Sequence, residues 1–326
     1  MPANLTPVYH AAEERFRQAK TKEEKIAALE EMLAVIPKHK GTDHLQADIK
    51  RRIAKLRDEG DEKGASKSGD PFLIPKEGAG QVVLMGFPNT GKSALVGALT
   101  RAKVSVADYP FTTALPVSGM MSFEDILIQL VDLPPVTETE IPKGMAGTLR
   151  LADLIVITLD GATDDCLDQW QGCFNLLNER RILEIPGEVE GPQTKSPADF
   201  LLVMTKSDIA EAGERLGLLQ EMLPPGWMTA AVSVNDPESL TGLRKMMFER
   251  LRIIRVYSKI PGKDADRSNP FVLKAGQTVF DMAGRVHRDF PSKLKSAKVW
   301  GSAKFPGQPV EKDFQLADGD IVELHV

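Results

Sequence analysis

"GFPNTGKS", residues 86–93, decides the fold. It fits the pattern G-x-x-x-x-G-K-[ST] and lies between an apolar run, "QVVLM", and a helix-like run, "ALVGALT", which is the strand–loop–helix setting that gives the pattern meaning. Gly86 and Gly91 let such a loop wrap phosphate oxygens with backbone N–H groups at a helix N-terminus, where the dipole favours negative charge. Phe87, Pro88, Asn89, Thr90 and Ala94 complete the lining; Lys92 is placed to bridge β- and γ-phosphates, and Ser93 to offer its hydroxyl to Mg²⁺. The bland alternative is a glycine-rich strand-to-helix turn that happens to contain Lys-Ser.

Outward from this loop, "ILIQLVDL", "ADLIVITLD", "DFLLVMTKSD" and "WMTAAVSV" each read as a buried strand, separated by helical segments. That alternation predicts an α/β domain: a mainly parallel sheet with helices on both faces. The 326 residues, 42% hydrophobic and 27% charged, suffice for two or three domains. The net charge of −5 assigns nucleic-acid contact, if there is any, to a local basic face. Cys166 and Cys173, seven apart in a helical stretch, suit neither a CxxC site nor a disulfide framework, so a reducing compartment is the default. No apolar run is long enough to cross a bilayer, and a cytoplasmic location without membrane contact is expected.

Before the loop, Phe16, Ile26, Leu29, Leu33 and Ile36 recur at helical spacing, which predicts one helix from Val8 to Ile36, stopped by Pro37. A second, with Leu45, Ile49, Ile53 and Leu56 on one stripe, runs from Thr42 or Asp43 to Gly60 and makes a helical hairpin of residues 1–62. Its Lys50, Arg51, Arg52, Lys55 and Arg57 form either an RNA-facing surface or a solvated helix face. "DEKGASKSGDP" is linker-like, and residues 63–77 are expected to connect the hairpin to an α/β domain at 78–256. Beyond it, residues 257–326 read as a small α+β module. There Arg285, His287, Arg288, Lys293, Lys295, Lys298 and Lys304 interleave with Phe290, Trp300 and Phe305, a composition that suits phosphate contact and base stacking, although aromatics more often fill a core.

Which nucleotide the loop takes is read from "TKSD", residues 205–208. A carboxylate on Asp208 accepts hydrogen bonds from guanine N1–H and its exocyclic amine, which adenine does not offer. Lys206 would lay its stem across the base plane. The alternative is a strand ending in a polar turn. Between the two motifs, "DYPFTT" places Thr113 21 residues past Lys92, where its hydroxyl can reach Mg²⁺ and its N–H a γ-phosphate. Thr112 competes for that role, and Phe111 precedes both.

With these residues in hand, the chain resembles the Obg-type GTPases of the translation-factor class, most closely the developmentally regulated GTP-binding (DRG) family. "DYPFTT", the asparagine in "GFPNTGKS", "DLP" and "HLQADIKRRIAKLRDE" carry the likeness, and the stretch from "VYSKIPGK" to "IVELHV" is similar to the family's TGS domain, a ubiquitin-like β-grasp fold. The resemblance implies a GTP-hydrolysing switch acting with ribosomes or structured RNA, with a protein partner reached through the hairpin or the TGS domain. It implies that Asp132 reaches Mg²⁺ through water, that Asn89 helps hold K⁺ against the phosphates, where the alternative is an asparagine that only satisfies loop backbone, and that Ser233-Val234 form the last guanine motif, a Ser233 N–H meeting O6. Departures are Thr205 for the usual asparagine, too few residues between Pro135 and Thr205 for an inserted domain, and "DLPP" for Asp-x-x-Gly: Pro135 has no N–H to give a γ-phosphate. Val136 follows, and its apolar side chain cannot orient a water as glutamine would. The rival readings are a GTP/GDP-binding scaffold with an impaired switch and an ATP-hydrolysing relative with a TGS domain.

Overall fold

The computed structural model describes residues 7–18, 22–36, 49, 72–100, 115–137, 141, 144–184 and 194–326. The chain divides into two compact units, residues 1–69 and 70–326.

In the first unit, the stretch expected to be one helix is two, α1 (Pro7–Gln18) and α2 (Lys22–Val35). Arg15 donates to both carboxylate oxygens of Glu31 at 2.6 and 2.7 Å. Sixteen residues along a continuous helix would separate the two by about 24 Å, so the chain reverses between them. The reversal lets Tyr9 and Ala12 bury against Leu29, Met32 and Ile36, with Ile49 in the same cluster. The rest of the expected second helix, with its basic face, lies outside the described residues.

The second unit begins its sheet with β1 (Gln81–Met85), and α3 (Lys92–Leu99) follows the glycine-rich loop. Then come β2 (Val117–Phe123), β3 (Ile126–Asp132), α4 (Met145–Leu151), β4 (Leu154–Asp160), α5 (Cys166–Glu179), β5 (Phe200–Thr205), α6 (Ala212–Met222), β6 (Thr229–Ala231) and α7 (Pro237–Leu251). The strands lie in the order β2-β3-β1-β4-β5-β6, parallel except for the antiparallel β2–β3 pair. Every residue of β1, β4 and β5 is buried, because helices cover both faces. Alternate side chains feed two cores. Val83, Met85, Ile155, Ile157, Leu202 and Met204 pack on α4 and α5. Val82, Leu84, Val156, Leu201 and Val203 pack on α3 and α7. The parallel strands thus end together beside the loop, at the edge where open α/β sheets hold ligands.

The expected linker up to residue 77 is partly docked: Phe72 is buried in the first of these cores, and Gln81 and Gln129 donate to the carbonyls of Ile74 and Pro75.

A second sheet, ordered β10-β9-β11-β7-β8, forms from β7 (Ile253–Lys259), β8 (Ala265–Lys274), β9 (Ser296–Trp300), β10 (Gln308–Val310) and β11 (Ile321–His325). β7 and β11 are parallel and the other pairs antiparallel, with α8 (Val279–Val286) packed across one face and α9 (Phe290–Lys293) after it. This is the β-grasp arrangement. Because β7 starts at Ile253, the change of sheet comes earlier than the expected boundary at 256/257.

Arg255 ties the two sheets together. Its guanidinium grips Asp318 at 3.0 and 2.7 Å, reaches Asp125 at 3.0 Å and Glu124, and lies over the rings of Phe248 and Phe123 at 5.2 and 6.0 Å. Glu124 and Asp125 form the β2–β3 turn, and Tyr257 donates to Asp125 at 2.5 Å.

Candidate functional site

The loop between β1 and α3 takes its shape from two glycines. At Gly86, φ is +157°, and a Cβ would lie 2.6 Å from Thr158 Oγ1 and 2.7 Å from its carbonyl oxygen, so no side chain fits. Gly91, at φ +78°, turns the chain into α3 in a conformation L-residues rarely adopt. The first-turn N–H groups of α3 then face the loop's hollow.

Three buried threonines fix the loop to the sheet. Thr90 Oγ1 and Thr158 Oγ1 are 2.9 Å apart, and Thr90 donates to Phe87 O at 2.9 Å. Thr205 Oγ1 lies 3.0 Å from Thr90 O and 3.1 Å from Leu159 O. Thr205, whose residue type departs from the family pattern, therefore still reaches the loop, through a hydroxyl.

Lys92 is buried and its ammonium donates to the carbonyls of Gly86 and Phe87 at 2.9 and 2.8 Å. Burial pushes its pKa below the ordinary lysine value, and the charge of Asp132 works against that shift. Ser93 donates to Asp132 Oδ2 at 2.5 Å. Asp132 Oδ1 is buried with no partner among the described residues. Burial holds the Asp132 carboxyl above its usual range, against the Ser93 hydrogen bond and the Lys92 charge. An orphaned carboxylate oxygen beside a serine hydroxyl is a donor set that fits a hard divalent cation or its bound water. Pro88 and Asn89 are exposed at the rim; Asn89 sits at φ +65°, and its side chain makes no hydrogen bond among the described residues. Phe111, Thr112 and Thr113 lie outside the described residues.

The stretch after Asp132 is turned inward. Leu133 N–H donates to Leu84 O and Val136 N–H to Gly86 O, both at 3.1 Å. Pro134 and Pro135 have no N–H. Leu133 and Val136 are fully buried in the core that contains Met145, while Pro135 is exposed. From 133 to 136, every backbone donor is either missing or already used.

Across the loop, Lys206 follows β5 at φ +56°, and its ammonium meets Asp160 Oδ2 at 2.6 Å. Asp208 is exposed; a hydrogen bond from Ser233 holds its carboxyl below the usual aspartate value, and Asn235 Nδ2 lies 3.4 Å away. Ser233 N–H is engaged by Ser239 Oγ at 3.2 Å, whereas Val234 N–H has no acceptor among the described residues. The free donor in that turn is thus Val234, one position later than the residue expected to meet O6. Thr158, Asp160 and Asn235 escaped the sequence reading. Only an acid closing the apolar run "LIVITLD" could have drawn attention to Asp160.

In the second sheet, the basic and aromatic residues do not form one face. Ala297 and Val299 of β9 enter the core under α8, so Lys298 and Trp300 project from the opposite side to Arg285, which lies on α8. Lys259 Nζ lies 5.0 Å over the Trp300 ring, Lys298 approaches Glu323 at 3.7 Å, and Phe305 is exposed. Among the described residues, no helix is long and apolar enough to cross a membrane, and no group of three or more His, Cys, Asp and Glu could hold a metal ion.

Comparison with known proteins follows these divisions. A family profile described as a 50S ribosome-binding GTPase matches residues 81–206, and the TGS domain profile matches 254–326. A GTP-binding protein of Methanocaldococcus jannaschii is 30% identical over 93% of this chain and 92% of its own length. GTP-binding protein 1 of Schizosaccharomyces pombe is 28% identical over 92% and 98%, and developmentally-regulated G-protein 2 of Arabidopsis thaliana 28% identical over 92% and 90%. The first alignment spans 362 positions, more than the 326 residues here, so that relative carries inserted residues that this chain lacks.

Proposed function

The chain belongs to the DRG family of GTP-binding proteins, a G domain followed by a TGS domain, and on that premise we propose that it binds and slowly hydrolyses GTP. One observation carries the reading. The ends of β1, β3, β4 and β5 bring the loop ammonium of Lys92, the Ser93–Asp132 pair and the Thr205–Asp208 turn to one edge, with Thr205 hydrogen-bonded to the phosphate loop itself. That tie supports reading Asp208, three residues further on, as the base-reading carboxylate beside a phosphate cradle.

In this reading, the first-turn N–H groups of α3 and Lys92 take the β- and γ-phosphates, and Asp208 accepts from guanine N1–H and the exocyclic amine. Val234 N–H stands at the turn where O6 is expected. Ser93 and Asp132, joined by Thr113, would hold Mg²⁺, Asp132 through a water; the ion supplies neutralisation of charge on the transferring phosphoryl group. Asn89, exposed and with no side-chain hydrogen bond among the described residues, would help hold K⁺ where an arginine finger would otherwise stabilise transition-state charge. The ribosome or structured RNA remains the proposed partner. The split of basic residues between two sides of the second sheet favours two separate contacts.

The second reading, a nucleotide-binding scaffold that senses γ-phosphate poorly, is favoured by the lack of an available N–H from Leu133 to Val136. Phosphate release from GTP, measured for the parent and for Lys92→Ala in K⁺ and in Na⁺, with and without ribosomes, tests the proposal. Hydrolysis that needs Lys92, runs faster in K⁺ and rises with ribosomes is expected. Equal rates in both salts would remove K⁺ from the account, and release that persists in Lys92→Ala would refute hydrolysis at this loop.

A further inference from the structure

We infer that Asp160 is a positioning residue of the base site: it holds the Lys206 ammonium so that the lysine stem lies across the plane of a bound guanine. This rests on reading Thr205–Asp208 as the guanine site. Asp160 ends β4, directly beside Thr205 at the end of β5. Both of its oxygens are committed, Oδ2 to Lys206 Nζ at 2.6 Å and Oδ1 to Ala162 N–H at 2.9 Å. Its own N–H donates to Gln169 Oε1 on α5 at 2.9 Å. Its side chain is 7% exposed, so the carboxylate cannot swing away, whereas Lys206 is 40% exposed along its length. A buried, immobilised anchor therefore grips the tip of a partly exposed side chain two residues before Asp208.

The backbone agrees with that use. Lys206 sits at φ +56°, a left-handed conformation that L-residues rarely adopt. The left-handed turn aims its side chain back to the end of β4, and the hydroxyl of Thr205, the preceding residue, lies 3.1 Å from Leu159 O. A lysine serving only as a surface cation would gain nothing from this double fastening. Held at its tip, the stem gives up its rotamer freedom before the ligand arrives. The pair thus prepares a flat apolar bar for the base.

The experiment titrates GDP and IDP, whose base lacks the exocyclic amine, into the parent, Asp160→Asn, Lys206→Met, the double variant and Asp208→Asn. Thermal melts of each are recorded alongside. The Asp160 and Lys206 single variants are expected to weaken both nucleotides by about tenfold, the scale of the rotamer freedom a long side chain must then give up on binding. The double variant should be no weaker than Lys206→Met. The GDP/IDP ratio should stay at the parent value in these three and collapse in Asp208→Asn. Unchanged GDP affinity in Asp160→Asn, losses that multiply in the double variant, or a changed ratio in Asp160→Asn would overturn the inference. Should Asp160→Asn lose its cooperative melt, Lys206→Met decides alone, and parent-like GDP affinity there overturns the inference. A parent that binds neither nucleotide refutes the guanine reading and this inference with it; a parent that binds while Asp160→Asn matches it refutes only the inference.

Discussion

Replacing Arg255 by Met should uncouple the second sheet from the first. The substitution keeps most of the aliphatic stem and removes the guanidinium that grips Asp318 at two points and holds Asp125 and Glu124 of the β2–β3 turn. Breaking a fully buried ion pair from one side costs about 3–5 kcal/mol. Arg255 itself is 8% exposed, but its partners are more open, Asp125 at 26%, Asp318 at 35% and Glu124 at 62%. Solvent screens the carboxylates left behind, so the expected cost falls to about 2–3 kcal/mol. The cost must depend on pH. Burial alone would raise the Asp125 and Asp318 carboxyls; Asp125 is instead held below its ordinary value by hydrogen bonds from Tyr257 and Arg255, and Asp318 by those from Arg255. A depressed carboxyl contributes stability above the unfolded value of about 3.9 and loses it as pH falls through the lower folded value. Urea unfolding followed by tryptophan fluorescence, at pH 7 and in steps below pH 4, reads both effects. The loss should be greatest at neutral pH and narrow as the acids protonate. A cost under about 0.5 kcal/mol at pH 7, the size of an ordinary surface ion pair, would refute the reasoning, as would a cost that stays flat with pH.

Three further outcomes are expected. Thr205→Val leaves the Thr90 and Leu159 carbonyls a donor short and should cost about 1–3 kcal/mol of GDP affinity or stability; calorimetry with GDP beside a thermal melt detects it, and two unchanged values would remove the tether. Pro135→Gly restores an N–H at an exposed position and should tighten GTP by about tenfold while leaving GDP within about twofold, measured by competition with a fluorescent nucleotide; a constant GTP/GDP ratio would show that the loop does not sense the γ-phosphate. Cys173, whose thiol burial pushes up to about 12, should resist a thiol reagent at pH 8 in the native chain and react after unfolding, and prompt native reaction would contradict its burial.

Much of the G domain was legible because β1, β4 and β5 are apolar on both faces and read as unbroken runs. The antiparallel strand β2 was not: "VSGMMSF" is only half-buried and carries glycine and serines, so it shows neither a continuous run nor clean alternation. The division between α1 and α2 was hidden by "QAKTKEEK", a string of good helix formers in which only the gap in the apolar stripe between Phe16 and Ile26 hinted at a reversal. For the site, the glycine-rich loop and "TKSD" could be read because their residues are adjacent in sequence. The contacts of Thr158, Thr205 and Asp160 join neighbouring strand ends and become visible only once the sheet order is known. Thr205 stood only as a departure from the usual asparagine, yet its hydroxyl, one atom from the backbone, reaches Thr90 O because β5 ends beside the loop.

We propose that one edge of the sheet selects guanine while the "DLPP" turn gives the γ-phosphate no N–H. This is tested most directly by titrating the parent chain with GDP, a non-hydrolysable GTP analogue and ATP in Mg²⁺ and K⁺. Both guanine nucleotides should bind, within about tenfold of each other for want of one charged hydrogen bond, and ATP should not compete. ATP binding as well as GTP, or a GTP analogue more than about a hundredfold tighter than GDP, would contradict it.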